Sequence, residues 1–457
     1  HPSDLIIDAS TPSPDVPLIK PKDVYSSFIF IFIYNNFCII VFYTNCTMKN
    51  KFLLELQSRG YLNQCTDLDK LDEICNKNSI SGYIGFDCTA SSLHVGSLLQ
   101  IMILKLMQKH GHKPIVLLGG GTTLIGDPSG KDTTRKILEQ KEIKKNIESI
   151  KKVFNKILDT SNKKIQPLFV DNAEWLTKLN YIQFLRDVGS HFTINKMLTF
   201  DSVKLRLDRE QSLSYMEFNY MILQAYDFYQ LFKTKNCILQ IGGSDQWGNI
   251  INGVELIRRM LKKSSFGLTS PLITLASGAK MGKTEKGAIW LNENLFSAYD
   301  YWQFWRNTDD QDVKRFLNFF TELEVDEIKN ICNKEKNINN LKILLANEAT
   351  KILHGEQASK KAEQTAKDTF QGSGIGSGLP VIKIKSSQID KGINFLDFLS
   401  ENKIVSSKSE ARRAINNNGI KINNIVIINE KKIIKKVDFK EKILKISYGK
   451  KKHYLIK

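Results

Sequence analysis

Between Gly82 and about Phe266, short apolar runs alternate with longer stretches in which apolar residues recur every three or four positions. Runs of four or five apolar residues suit buried strands, and the longer periodic stretches suit helices with one face in a core. The pattern predicts strands over Tyr83–Phe86, Pro114–Leu118, Pro167–Val170 and Cys237–Ile241. It predicts helices over His94–Lys109, Glu142–Leu158, Tyr181–Val188, Tyr215–Phe232 and Gln246–Leu261. Such alternation implies an α/β fold with a doubly wound parallel sheet. In sheets of this kind ligands sit beyond the carboxyl ends of the strands, near Gly-rich turns.

The pattern changes on either side. Residues 298 to about 370 read as helices with no strand periodicity. Gln371-Gly-Ser-Gly-Ile-Gly-Ser-Gly-Leu-Pro380 is a flexible linker by composition, and a compact segment follows over roughly 390–457. Near the N-terminus, Asn35-Asn36 splits an apolar run into Phe28–Tyr34 and Phe37–Tyr43, a poor fit to one membrane-spanning helix of about 20 residues. Residues 1–47 read either as a signal or transit segment or as translated sequence ahead of a start at Met48. The second is the expectation, because Met48-Lys-Asn-Lys51 runs directly into amphipathic Phe52-Leu-Leu-Glu-Leu.

Composition sharpens this. The 457 residues carry a formal net charge of +18. Residues 381–457 hold 19 Lys or Arg against 7 Asp or Glu, so +12 of the excess lies in about a sixth of the chain. That concentration points to a polyanionic partner and a nucleic-acid-binding module at the C-terminal end. The seven cysteines are scattered with no CxxC pair, which favours a reducing compartment and indicates neither a zinc site nor a disulfide framework.

Five constellations carry candidate chemistry. In Tyr83-Ile-Gly-Phe-Asp87-Cys-Thr-Ala-Ser-Ser-Leu-His94-Val-Gly96-Ser97, a strand ends at Asp87 and a helix begins near His94. Unpaired N–H groups at a helix start suit an anion, and side-chain-free Gly96 lets a nucleotide approach, although a His there also serves plain structure. The Gly-rich run Leu117–Lys131 contains Asp127 but lacks the P-loop ending. Lys131 and Arg135, four apart, either clamp phosphates or face solvent. Tyr220, Gln224 and Asp227 share one helical stripe between apolar neighbours, as a half-buried pocket wall or a solvated face would. Gln240-Ile-Gly-Gly-Ser-Asp245-Gln246 places a carboxylate after a strand, where it suits a ribose hydroxyl or a helix cap. Lys280-Met281-Gly282-Lys283-Thr284 puts two lysines in a Gly-bounded loop suited to a mobile phosphate clamp.

In this order the five pieces resemble the tyrosyl-tRNA synthetases of bacterial and organellar type, class I enzymes with HIGH-like and KMSKS-like signatures. The resemblance runs from about Phe52 to the C-terminus. It implies a Rossmann-like catalytic domain over 48–297 and a helical domain on the tRNA anticodon side over 298–370. A linker would span 371–389, and a small basic α+β RNA-binding domain 390–457, with 1–47 a leader outside the fold. It implies that Tyr83 and Asp227 hold the phenolic OH of L-tyrosine, that Asp127, Tyr220 and Gln224 bind its ammonium group, and that Gln246 lies near its carboxylate. His94 and Gly96 would sit on ATP, the backbone around Asp87 beside it, and Asp245 on the ribose. Lys280, Lys283 and Thr284 would form the mobile loop, opposite Lys131 and Arg135 at the pyrophosphate. The resemblance implies ATP with Mg²⁺ as substrate and no tightly bound cofactor.

The tail segments Asn394-Phe-Leu-Asp-Phe-Leu, Ser406-Ser-Lys-Ser-Glu-Ala-Arg412-Arg413 and Gly419-Ile-Lys-Ile-Asn resemble an RNA-binding module shared with a ribosomal small-subunit protein, with Arg412 and Arg413 facing tRNA. The family implies a homodimer with no membrane partner, in a bacterial cytoplasm, or in an organelle matrix if 1–47 is a targeting segment. The chain departs from the family's signatures in two places: Ser97 replaces the second His, and the KMSKS-like loop reads Lys280-Met-Gly282-Lys-Thr284. A tryptophanyl-tRNA synthetase and a non-catalytic RNA-binding relative are the alternatives. The Tyr83/Asp227 pair and the tail speak against the first, and the retained His94, Lys280 and Lys283 against the second.

Overall fold

The computed structural model describes residues 29–34, 37–42, 48–127, 138–278, 281–284, 287–370, 379–384, 386–440, 443–449 and 452–457. The two halves of the N-terminal apolar run belong to a unit of their own and pair antiparallel, Ile29 opposite Phe42 and Tyr34 opposite Phe37. Their β-branched and aromatic content favours strand over helix. Among the described residues, no helix is long and apolar enough to cross a membrane.

The second unit, Lys49–Lys457, is built on a six-stranded sheet. Its strands are β1 (Gln64–Cys65), β2 (Ser81–Asp87), β3 (Lys113–Gly119), β4 (Leu168–Asp171), β5 (Cys237–Gly243) and β6 (Phe266–Ser270), in the order β1-β6-β5-β2-β3-β4. All pairings are parallel except that of the short edge strand β1 with β6. The four strands read from the sequence are β2 to β5. The periodicity did not reveal β1, because two residues carry no alternation. With β3 on one side of β2 and β5 on the other, the connections diverge at the centre of the sheet. That divergence opens a crevice at the carboxyl ends of β2 and β5.

Helices cover both faces. The main ones are α1 (Lys51–Arg59), α2 (Leu98–Lys109), α3 (Gln140–Ile157), α4 (Tyr220–Lys235) and α5 (Trp247–Leu261). Phe228 and Leu231 of α4 and Leu256 and Ile257 of α5 are buried with Tyr83, Ile115, Leu117 and Val170 of the sheet. The helix expected over Tyr215–Phe232 is in fact two, Tyr215–Phe218 and α4. Ser214 and Glu217 form a capping box at the first, and Asn219 bonds back to the Tyr215 carbonyl at 2.7 Å, so the break follows from side chains competing for backbone groups. The helix expected from His94 opens as a 3₁₀ turn over Val95–Ser97 before α2 begins.

Five helices follow the sheet: Ala298–Arg306, Val313–Phe320, Val325–Lys334, Ile338–His354 and Glu356–Phe370. The last carbonyls of a helix have no backbone partner within it. Around the end of Val313–Phe320 they are met by residues some 260 positions earlier. Arg59 donates to the carbonyls of Asn318, Thr321 and Leu323, and Tyr61 Oη donates to that of Phe319 at 2.6 Å. Arg59 also pairs with Glu55 at 2.8 Å, with both side chains largely buried. Burial alone would raise the Glu55 pKa, but its bonds to His110, Lys109 and Arg59 hold it at about 2.

The C-terminal segment has its own core. Phe395, Leu399, Ile404, Ala411 and Ile415, from the helices Phe395–Glu401 and Lys408–Asn416 and the turn between them, pack on Ile420, Ile422, Leu444, Ile446 and Ile456 of a five-stranded sheet.

Arg59→Met should lower the unfolding free energy by roughly 1–3 kcal/mol, since it strands three carbonyls and leaves Glu55 with only Lys109 and His110 as partners. Urea melts of the two proteins measure this, and a change under about 1 kcal/mol would mean that water replaces the guanidinium without loss.

Candidate active site

Beyond the ends of β2, β3 and β5 lies a cleft of about 530 Å³, lined by Tyr83, Asp87, His94, Gly96, Asp127, Tyr220, Gln224, Asp227, Asp245 and Gln246. The volume suits a small-molecule site. Ten side chains or backbone positions singled out from the sequence therefore share one crevice, drawn from β2 and the end of β5, the Gly-rich turn after β3, the start of α2 and the stripe of α4.

The deepest part is a phenol beside a carboxylate. Tyr83 and Asp227 are each 1% exposed. Asp227 accepts from Asn172 Nδ2 and Trp175 Nε1, both at 2.8 Å. Burial, aided by the charges of Asp87 and Asp171, outweighs those two bonds and pushes the Asp227 pKa up to about 7. Burial, and then the charge of Asp227, raises the Tyr83 phenol well above its ordinary value. Tyr83 Oη has no hydrogen-bond partner among the described residues.

Nearer the opening the side chains form two clusters. Tyr220 Oη donates to both oxygens of Asp87 at 3.3 Å, and Thr122 Oγ1 donates to one of them at 3.1 Å. In the other cluster Gln246 Nε2 donates to Asp127 at 3.0 Å, while Asn249 Nδ2 donates to the amide oxygens of Gln224 and Gln246, each at 3.0 Å. Carboxylates and amide oxygens gathered this way present acceptors, which suit an ammonium group.

The start of α2 and the lysine loop touch through glycines. His94 Nδ1 accepts from the Gly96 N–H at 3.0 Å, capping the 3₁₀ turn. A Cβ on Gly96 would lie 2.7 Å from the carbonyl oxygen of Met281. Gly282 has φ +103°, and a Cβ there would lie 2.6 Å from His94 Nδ1. This accounts for the departure at that position: Gly282 is where the loop backbone passes against the imidazole, and a serine would clash as well as strain. Lys283–Thr284 pairs with Gly287–Ala288 as a short hairpin, and Ala288 lines the cleft. Lys131, Arg135 and Lys280 lie outside the described residues. Arg412 and Arg413 are exposed on the helix Lys408–Asn416 of the C-terminal segment, with Arg412 at 3.8 Å from Glu430.

Sequence reasoning missed Asn172, Trp175, Thr122, Asn249 and Gln240. Asn172 immediately follows β4, so its place just past a parallel strand was an available signal. Gln240 lies on β5, and its Oε1 is buried with no partner among the described residues. Trp175 and Asn249 had no signal, since only packing brings them to Asp227 and Gln224.

Gly282→Ala should lower the unfolding free energy by roughly 1–3 kcal/mol, through backbone strain at its positive φ and contact with His94. Urea melts of the two proteins measure this, and an unchanged midpoint and slope would refute a tight crossing at Gly282.

Comparison with known proteins agrees with this geometry. Residues 76–371 match the family "tRNA synthetases class I (W and Y)", and residues 373–456 match "Tyrosine--tRNA ligase SYY-like C-terminal domain". The tyrosine–tRNA ligase of Pelagibacter ubique is 61% identical over 88% of this chain and 98% of its own. That of Zymomonas mobilis is 55% identical over 89% and 98%. A C-terminally truncated mitochondrial tyrosyl-tRNA synthetase of Aspergillus nidulans superposes with a TM-score of 0.63 at 29% identity, covering 70% of this chain and 94% of its own. With these matches spanning most of its length, the chain belongs to the class I tRNA synthetases of the W and Y group, in the tyrosine–tRNA ligase family.

Proposed function

We propose that this chain activates L-tyrosine with Mg–ATP, forming tyrosyl-adenylate and pyrophosphate, and passes the tyrosyl group to the terminal ribose of its tRNA. The observation that carries the proposal is the unpartnered Tyr83 hydroxyl beside the buried Asp227 carboxylate. A substrate phenol fits both at once, accepting from Tyr83 and donating to Asp227. Phenylalanine offers neither, leaving the Tyr83 hydroxyl unpaired and Asp227 with only Asn172 and Trp175, at a cost of about 1–3 kcal/mol. Tryptophan fits less well, because an indole N–H donates but cannot accept. Gln224, Asp127 and Tyr220 take the ammonium group, and Gln246 lies by the carboxylate.

ATP lies along His94 and Gly96, beside the backbone at Asp87, with its ribose towards Asp245. The tyrosine carboxylate attacks the α-phosphorus in line and pyrophosphate leaves. No enzyme nucleophile is needed, so catalysis consists of positioning and of stabilising charge on the phosphates. Lys280, Lys283, Thr284, Lys131, Arg135 and His94 supply that stabilisation, and Mg²⁺ enters with the nucleotide. Arg412 and Arg413 bear on tRNA, where exposed guanidinium groups meet phosphates. A bacterial cytoplasm is the proposed compartment, with an organelle matrix as the alternative.

We also propose a homodimer. Eight of the seventeen large apolar side chains exposed among the described residues fall within residues 181–215, including Ile182 (71%), Tyr215 (65%) and Ile194 (59%). A concentration of this kind marks an interaction face, and a second copy is the simplest partner for it.

Tyrosine-dependent ATP–pyrophosphate exchange tests the reaction, and exchange absent with tyrosine or equal with phenylalanine refutes it. Asp227→Asn should reduce the tyrosine-over-phenylalanine ratio in kcat/KM about 10- to 100-fold with little change in the KM for ATP. Burial raises the Asp227 pKa, so its carboxylate forms as pH rises through about 7. The KM for tyrosine should therefore fall across that range and level off above it, and Asp227→Asn should flatten the profile. For the dimer, Ile182→Glu with Ile194→Glu should shift the mass seen by light scattering from two chains to one. An unshifted dimer places the interface elsewhere.

A further inference from the structure

Downstream of the lysine loop, the chain pairs its backbone with the segment that leads into α2. The Val95 N–H donates to the Ile289 carbonyl at 2.8 Å, and the Leu291 N–H donates to the Leu93 carbonyl at 2.9 Å. These two bonds flank His94 and Trp290, which stand opposite each other in an antiparallel bridge. A pair flanked in this way is the close, non-hydrogen-bonded kind, with Cα atoms about 4.5 Å apart and both side chains on one face. The four neighbours alternate to the other face, and Leu93, Val95, Ile289 and Leu291 are all buried. His94 and Trp290 are half-buried, and both line the cleft.

The Trp290 side chain has neither a ring contact nor a hydrogen bond among the described residues. Other tryptophans here spend their N–H inside the protein: Trp175 donates to Asp227 at 2.8 Å, and Trp302 to Asn347 at 2.7 Å. An indole N–H donates and cannot accept, so its complement is an acceptor, and a charged one binds best. The surroundings select which acceptor. Ala288, two residues before Trp290 and also at the cleft, is in register with Lys283 of the lysine loop. On the other side stands His94 at the opening of α2, where backbone N–H groups favour an anion. Of the groups that the substrates carry, a phosphate oxygen meets this set, since the tyrosine carboxylate falls to Gln246.

We propose that Trp290 is a catalytic residue whose indole N–H donates to a phosphate oxygen of the departing pyrophosphate, alongside His94. This inference rests on the reading of the cleft given under Proposed function and adds a group which that reading does not contain. As the tyrosine carboxylate bonds to the α-phosphorus, the bond to the oxygen bridging the α- and β-phosphates breaks, and its electron pair leaves with pyrophosphate. A fixed donor facing that charge stabilises it without any proton changing hands. The bridge to His94 is what fixes it, because the two backbone bonds set the spacing of the indole from the imidazole.

The test compares the full chain with Trp290→Phe, which keeps a ring and removes the N–H, and with Trp290→Leu, which removes both. In exchange at saturating tyrosine and ATP, Trp290→Phe is expected to raise the KM for pyrophosphate about 10-fold, with the KM for tyrosine unchanged. Trp290→Leu should lose at least as much. Transfer of tyrosine to tRNA from isolated enzyme-bound tyrosyl-adenylate should keep its rate in both, because pyrophosphate has by then left. An unchanged KM for pyrophosphate in Trp290→Phe overturns the assignment even if Trp290→Leu is impaired, since the ring alone would then suffice. A loss shared by the transfer step or by the KM for tyrosine would make Trp290 a packing residue and overturn it equally. If Trp290→Phe does not fold, the five tryptophans of the unsubstituted chain still give five indole N–H signals in a ¹H–¹⁵N spectrum. Magnesium pyrophosphate should move one of them downfield, and five unmoved signals would overturn the proposal. Absence of tyrosine-dependent exchange in the unsubstituted chain would be a different failure, of the reading of the cleft itself.

Discussion

The floor of the cleft depends on one amide. Asn172 is 1% exposed and uses both ends of its side chain. Its Nδ2 donates to Asp227 at 2.8 Å and to Thr122 Oγ1 at 3.1 Å, while its Oδ1 accepts from the Gly121 and Thr122 N–H groups. Three segments that share no local sequence are fastened through it: the end of β4, the Gly-rich turn after β3, and helix α4. Asp227 could not remain buried without such donors, because an uncompensated carboxylate there is costly. Thr122 passes the constraint on to Asp87, and Asp87 to Tyr220, so the hydrogen-bonded network spans the width of the cleft.

A second fastening acts at larger scale. Arg59 and Tyr61 close the C-terminal end of the helix Val313–Phe320, and Lys109, at the far end of α2, bridges Glu55 and Glu324 at 3.0 and 2.8 Å. The helix that starts beside His94 at the cleft thus ends in an ion-pair network anchored to the helices after the sheet. The Arg59–Glu55 pair is buried, so salt screens it less than it screens the exposed Lys109–Glu324 pair or the basic surface of the C-terminal segment. One chain thereby combines a salt-resistant joint with a salt-sensitive surface for nucleic acid.

The glycines at 96 and 282 add a constraint of shape. Each side chain omitted at this crossing lets the backbone of one segment come within van der Waals distance of the other.

The sequence by itself determined the alternation of strand and helix, and so the parallel sheet and the edge at which ligands gather, because these depend on side-chain periods of two and 3.6 residues that local order encodes. It also placed Tyr220, Gln224 and Asp227 on one stripe and concentrated basic charge after residue 380. It could not divide the stripe by role. Tyr220 meets Asp87, Gln224 meets Asn249 and Asp227 meets Asn172 and Trp175 only once α4 has packed on the sheet. Nor could it show that Tyr83 keeps its oxygen unpaired among the described residues, or that Gly282 passes against His94. Those facts belong to pairs far apart along the chain, brought within a few ångströms by burial of the core, and no local pattern records a distance that only packing creates.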